Sequence, residues 1–283
     1  MSEHSMIKPS TILCIVFFCA LCIFCYQYQN PPPATNTLLT MMDIPVIENE
    51  PHEQPLQHLA CIMDGNRRWA RQRGMAPWEG HYHGIEKVKL IVEFCIKKNI
   101  KYLSLYTLSP ENFSRPAQEL EHIFDLMRRE ADKGSAEYIK EGIRVRFIGD
   151  RSLFPDYLIS SLEQIENETS QMDRLHVNLF FCYGGRQEIA AAMQTMGKKI
   201  KEGTLDPASI TPQVYESFLW TAQIPDPDLI IRTGCVSRLS NFMLFQAAYS
   251  ELYMLNCYWP DVTQDDLENI YQWYLQTKRS FGT

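Results

Sequence analysis

The residues best suited to chemistry sit directly after apolar runs of the chain. One such run ends in Met63-Asp64-Gly65-Asn66-Arg67-Arg68-Trp69, a second in Ser109-Pro110-Glu111-Asn112-Phe113-Ser114-Arg115-Pro116, and a third in Arg232-Thr233-Gly234-Cys235-Val236-Ser237-Arg238-Leu239-Ser240-Asn241; Glu251 opens a fourth. A carboxylate at a tight strand-to-helix turn, as at Asp64-Gly65, either caps the helix or shares a Mg²⁺ ion with a phosphate ligand. Arg68, Arg115 and the pair Arg232 and Arg238 come from three separate segments, and guanidinium groups that gather in one place need polyanionic oxygen to offset their repulsion. Taken singly, each arginine reads equally well as half of a surface ion pair. The conjunction with Asp64 points to a phosphate-bearing ligand.

The elements that must position these residues alternate along the chain. Short apolar strands are expected at 58–63, 101–108, 143–149, 175–183, 228–234 and 251–256, separated by helical patterns at 84–99, 117–141, 155–171, 186–201 and 263–278. That order predicts an α/β fold, a single domain with a central, mostly parallel sheet flanked by helices. In such sheets ligands gather beyond the carboxyl ends of the strands, where the polar clusters fall. Helical stripes such as Ile123, Phe124, Leu126 and Met127 read first as core, and gain a second meaning only if the ligand is amphiphilic.

Composition narrows the field. The chain has 283 residues, 27 basic against 34 acidic, a formal net charge of −7 and 45% hydrophobic residues. These values suit a globular domain and disfavour a global polyanion binder, so nucleic acid is not expected as a partner. GxxxxGK[ST], GxGxxG after a strand, and GxSxG are all missing, which disfavours P-loop NTPases, Rossmann dehydrogenases and serine hydrolases of the elbow type. Nine cysteines lack metal-ligand spacing apart from Cys22-Ile-Phe-Cys25 inside an apolar run, and fit a reduced compartment better than a disulfide framework.

Three segments are expected. Residues 1–29 contain an uncharged run, Thr11 to Tyr26, about 24 Å long if helical, read as a membrane anchor or a non-native extension with Met41 or Met42 as the true start; a cleaved signal is a further reading. Residues 30–55 form a proline-rich acidic linker, and 56–283 the folded domain.

The runs HLACIMDGNRRWA, YTLSPENFSRP, NLFFCYGGRQEI and DLIIRTGCVSRLSNFMLFQAAYSELY resemble the signature regions of the cis-prenyltransferases, the undecaprenyl diphosphate synthase (isoprenyl transferase) family, from about His58 to the C-terminus. The resemblance implies a hydrophobic tunnel between sheet and helices, a homodimer, and a Mg²⁺-dependent enzyme that extends an allylic diphosphate, commonly farnesyl diphosphate, by repeated cis condensation with isopentenyl diphosphate to a long polyprenyl diphosphate. It assigns Asp64 to diphosphate and Mg²⁺, and Gly65, Asn66, Arg67, Arg68 and Trp69 to the allylic diphosphate, with His81 beside them. Ser109, Pro110, Glu111, Phe113 and Arg115 fall in the matched substrate loop, with Asn112 at the position often given as proton acceptor. Arg232, Arg238, Leu239 and Ser240 match the isopentenyl diphosphate site, and Glu251 a second Mg²⁺ ligand. An enzyme of this kind with the apolar run is expected on the cytoplasmic face of a membrane, or in the cytoplasm if the run is not native.

The chain departs from the family pattern at Pro77, where an arginine is usual, at Cys235 in place of a second glycine, and at Val236 in place of an acidic residue. The C-terminal Arg-x-Gly appears as Ser280-Phe281-Gly282, with Arg279 one place early. A non-catalytic, membrane-anchored partner subunit is the rival reading. Retention of Asp64, Asn66, Arg68, Asn112, Arg232, Arg238, Ser240 and Glu251 speaks for an active enzyme.

Overall fold

The computed structural model describes residues 55–279, so the apolar run at 11–26 and nearly all of the acidic linker lie outside the described residues. Six strands form one sheet: β1 (His58–Ile62), β2 (Tyr102–Leu108), β3 (Ile143–Ile148), β4 (Leu175–Phe181), β5 (Leu229–Arg232) and β6 (Glu251–Met254). Their order is β3-β4-β2-β1-β5-β6 and every pairing is parallel. All six strands therefore deliver their carboxyl ends to one rim.

The helices are α1 (Asn66–Gln72), α2 (Glu79–Lys98), α3 (Ala117–Asp132), α4 (Ala136–Glu141), α5 (Asp156–Glu168), α6 (Gly185–Lys201), α7 (Pro212–Glu216) and α8 (Gln264–Gln276). The continuous helix expected over 117–141 is two helices. Gly134, at φ 74°, turns the chain between them, a backbone state that a residue with a side chain adopts at a cost. Period-2 burial divides the sheet into two faces. Leu59, Cys61, Leu103, Leu105, Val177 and Phe181 pack with Ile91, Phe94, Leu158, Leu162 and Tyr274 on one face, whereas Ala60, Ile62, Tyr106, Phe180 and Ile230 meet Tyr183, Phe242 and Met243 on the other.

Helix α3 is the exception to close packing. Ile123, Phe124 and Met127 touch the first core yet each stays partly exposed, as does Leu126. Phe113, Phe124, Phe181 and Phe154 form a row of ring contacts with centroids 6.3, 5.8 and 5.0 Å apart, running from the loop after β2 to the turn after β3. Apolar surface beneath α3 is thus incompletely closed. Among the described residues no helix is long and apolar enough to cross a membrane, and Cys61, Cys95, Cys182, Cys235 and Cys257 are all free.

At the opposite end of β1, His58 is fully buried. Its Nδ1–H donates to the Pro225 carbonyl at 2.7 Å, which leaves Nε2 to accept from the Ser104 hydroxyl at 2.8 Å. Burial depresses its pKa to about 4 from an ordinary 6.5, with Pro225 and Asp228 opposing the shift. The unfolded chain therefore takes up this proton first as pH falls. Stability is expected to drop between about pH 6.5 and pH 4, by up to about 3 kcal/mol, and this component to level off below pH 4. Urea unfolding across that range checks it; a His58→Gln variant with an identical pH profile would refute the assignment.

Candidate active site

The Asp64 turn is held from several directions. Its amide donates to the Ile62 carbonyl (2.9 Å), while its own carbonyl accepts from the Thr233 hydroxyl (2.7 Å) and the Trp259 amide (3.1 Å). Gly65 adopts φ 106°, and a Cβ there would come within 2.6 Å of the Tyr258 ring, so glycine is required twice over. Gly80 and Gly84, one turn apart on α2, admit the backbone and side chain of Asn66: a Cβ on Gly80 would lie 2.0 Å from the Asn66 carbonyl oxygen.

The Asp64 carboxylate faces the rim with its side chain about a third exposed, at 32%. Oδ1 accepts from the Gly65 amide (2.6 Å) and lies 3.2 Å from Arg68; Oδ2 accepts from Arg232 Nη2 at 2.8 Å. Arg232 is 3% exposed. Its other terminal nitrogen donates to Ser240 Oγ at 2.7 Å and to the Arg238 carbonyl, and Arg238 Nε reaches the same Ser240 oxygen at 3.2 Å. Arg68 lies over the Tyr258 ring, 5.3 Å from its centroid. Trp69 donates to Asp261 Oδ1 (2.6 Å), which also binds Arg73.

A second group of charges stands beside the first. Glu119, at the start of α3, is 2% exposed and lies 3.1 Å from Arg67 Nε, 3.3 Å from Arg115 Nη1 and 3.9 Å from His81 Nε2. Burial raises its pKa, but the His81 contact and the two guanidinium charges outweigh that, so the net shift is downward and the carboxylate stays ionised. Burial and the neighbouring Arg67 lower the Arg115 pKa, against the attraction of Glu119 and Asp64.

The loop after β2 closes the third side. Ser109 and Asn112 form a capping box in which Asn112 Oδ1 accepts from the Ser109 amide at 3.1 Å. That oxygen is occupied, leaving the Asn112 NH₂ group to meet a ligand. Pro110 and Phe113 belong to the same short 3-10 turn. Asn241 Nδ2 donates to Glu111 (2.8 Å) and Gln187 (3.0 Å), while Asn241 Oδ1 accepts from the Arg186 amide, tying this loop to α6. Leu239 packs against the second core. Cys235, Ser240, Asn241 and Met243 all have positive φ, so the loop after β5 is held in conformations that its contacts must sustain.

The structure thus brings Asp64, Arg68, Arg232, Arg238 and Ser240 into one cluster and Arg67, His81 and Arg115 into an adjoining one. Glu251 is elsewhere. It pairs with Leu229, which is level with Leu59, at the amino end of the sheet and two strands from β1, on the order of 15 Å from Asp64 in the same chain. Glu119, Tyr258 and Asp261 were not legible in advance. Glu119 lies one turn past Arg115 and reads as an ordinary first-turn acid; the other two owe their place to long-range packing.

Five guanidinium groups gather here (Arg67, Arg68, Arg115, Arg232 and Arg238) against the carboxylates of Asp64, Glu119 and Glu111, beside the half-open apolar surface of α3. A parallel α/β domain with such a rim suits a ligand that joins an anionic head to an apolar tail. The chain belongs to the family described as "Putative undecaprenyl diphosphate synthase", whose sequence model matches residues 62–282, and is a cis-prenyltransferase. It is 38% identical over 228 residues to a tritrans,polycis-undecaprenyl-diphosphate synthase (geranylgeranyl-diphosphate specific) of Methanopyrus kandleri, covering 80% of this chain and 84% of that one. With an isoprenyl transferase of Aquifex aeolicus it shares 39% identity over 226 residues, 80% and 95% of the two chains. A lavandulyl diphosphate synthase from Lavandula x intermedia, solved with dimethylallyl diphosphate, superposes with a TM-score of 0.77 at 32% identity over 81% of this chain and 98% of that one. A probable undecaprenyl diphosphate synthase from Campylobacter jejuni gives 0.68 at 31%, over 81% and 100%.

Glu119→Gln removes one charge from beneath the guanidinium groups of Arg67 and Arg115. We expect a loss of stability of about 3 kcal/mol without ligand, and a larger stabilisation by inorganic pyrophosphate than the unmodified protein shows. Thermal melting with and without pyrophosphate checks both. Equal pyrophosphate shifts in the two proteins would show that Glu119 does not offset the site's positive charge.

Proposed function

We propose that this chain extends an allylic diphosphate, with farnesyl diphosphate as primer, by sequential cis condensation with isopentenyl diphosphate to a long, undecaprenyl-type polyprenyl diphosphate. The observation that carries the reading is the ionic cluster of Asp64, Arg68 and Arg232 at a rim that adjoins incompletely closed apolar surface under α3. Guanidinium groups suit diphosphate oxygens, and the partly exposed Phe, Ile and Met side chains of α3 and the loop before it suit a hydrocarbon tail.

In this reading Arg68 and the amides opening α1 hold the primer diphosphate, Arg232, Arg238 and Ser240 hold the second substrate, and Asn112 orients the isopentenyl group through its free NH₂. The isopentenyl double bond attacks the allylic carbon as the carbon–oxygen bond to diphosphate breaks, and fixed positive charge at the rim is most effective where that leaving charge builds. Asn112 is a poor base, being neutral with its oxygen engaged; the proton lost on forming the cis double bond goes to diphosphate oxygen or water.

Mg²⁺ fits the donor set. It binds through one or two carboxylates plus substrate phosphates, and Asp64 offers one partly exposed carboxylate at the rim, whereas no trio of Asp, Glu, His or Cys donors exists among the described residues. Bound between Asp64 and substrate, the ion would neutralise charge on the departing diphosphate. Glu251 does not reach that ion within one chain.

The proposed assembly is a homodimer. Exposed Leu252 and Tyr249 near the β6 edge support it. The proposed location, the cytoplasmic face of a membrane, or the cytoplasm if residues 1–29 are not native, rests on the apolar run alone.

Purified protein with Mg²⁺, farnesyl diphosphate and labelled isopentenyl diphosphate should give chain-elongated product, and Asp64→Ala nearly none. Product that forms only after a homologous chain is added would instead make this a partner subunit. Pro77→Arg should lower KM for the allylic primer; an unchanged KM would mean that another group already fills the role an arginine at 77 would play.

A further inference from the structure

Tyr106 opens the run YTLSPENFSRP, yet it has no part in the cluster around Asp64 or in the turn after β2. It lies near the carboxyl end of β2 on the second face of the sheet and is 9% exposed. Its ring stacks on the fully buried Phe242, with centroids 4.6 Å apart and planes 18° from parallel. Its hydroxyl shares one hydrogen between the Tyr183 carbonyl at 3.1 Å and the Ser240 carbonyl at 3.3 Å. Burial, followed by the charge of Glu111, pushes the hydroxyl pKa up, so the group keeps its proton and stays a donor.

The turn it touches is strained. Ser240, Asn241 and Met243 have φ of 50°, 66° and 44°, a left-handed state that residues with side chains hold only where contacts impose it. Asn241 is imposed upon by the start of α6: its carbonyl accepts from the Gly185 amide at 2.7 Å and its Oδ1 from the Arg186 amide at 2.9 Å. The Ser240 backbone has no such support from α6. Among the described residues, its one hydrogen bond comes from the Tyr106 hydroxyl.

Ser240 is where the turn meets the rim. Its Oγ accepts from Arg232 Nη1 at 2.7 Å and from Arg238 Nε at 3.2 Å. A hydroxyl offers two acceptor lone pairs and one hydrogen. With both lone pairs engaged, the Ser240 hydrogen is left to donate to an anion beside the two guanidinium groups. Where that hydrogen points follows from the Ser240 backbone, and small misplacements of groups that hold a substrate carry large penalties.

We propose that Tyr106 is a positioning residue for the second diphosphate: its hydroxyl tethers the Ser240 carbonyl and so sets the stance of the Ser240 hydroxyl between Arg232 and Arg238. This rests on the prenyl-transfer reading, in which those three residues hold isopentenyl diphosphate. Tyr106 itself touches no substrate.

Tyr106→Phe keeps the ring stack on Phe242 and removes only the donor. We expect KM for isopentenyl diphosphate to rise about fivefold, with kcat and KM for farnesyl diphosphate within about twofold of the unmodified protein. Ser104→Ala removes another buried hydroxyl from the same face of β2, further from the rim, and should leave both KM values unchanged. Without substrate, hydrogen–deuterium exchange over residues 237–243 should quicken in Tyr106→Phe and not in Ser104→Ala. An unchanged KM for isopentenyl diphosphate, an equal rise for both substrates, or the same rise in Ser104→Ala would overturn the proposal. If the unmodified protein elongates nothing, the prenyl-transfer reading fails instead, and unchanged exchange in Tyr106→Phe would still refute the tether.

Discussion

The structure depends on one ionic contact, the bridge between Asp64 and Arg232. It joins the ends of adjacent parallel strands, β1 and β5, where carboxylate and guanidinium are held 2.8 Å apart. Arg232 is almost fully buried, so its charge is worth more here than in water, and leaving it unpaired would be costly. Everything else at the rim is arranged around this pair. Thr233 and Trp259 fix the Asp64 backbone, Tyr258 lies against Gly65 and under Arg68, and Ser240 takes the other end of Arg232.

Glycines make the arrangement possible. Gly65 and Gly234 both have positive φ beside the carboxylate, and a Cβ on Gly234 would lie 2.6 Å from Arg68 and 3.0 Å from the Asp64 carboxyl carbon. Gly80 and Gly84 let α2 approach the same turn from behind. The positive charge of the site therefore comes from side chains packed against backbone that has been cleared of side chains.

Strands and helices were readable because apolar periodicity is a local signal. All six strands stand within two residues of expectation, and so do most helix ends. Where the reading failed, the cause is identifiable. The break at Gly134 was hidden by a helical stripe that continues on both sides of it, and α1 and α7 are too short to show a period. The arginines of the rim were legible because each ends a strand or lies in the segment after one. Glu119 was not, because its burial beneath Arg67, Arg115 and His81 depends on how α2 and α3 meet. Glu251 shows the opposite limit: a motif gives its residue type, whereas strand register puts it at the far end of the sheet.

The forked side chain of Arg232 carries a consequence for the rim as a whole. One prong grips Asp64 and the other grips Ser240, and the stem between them is rigid and buried. Any displacement of this single planar group would therefore alter contacts on both halves of the rim at once.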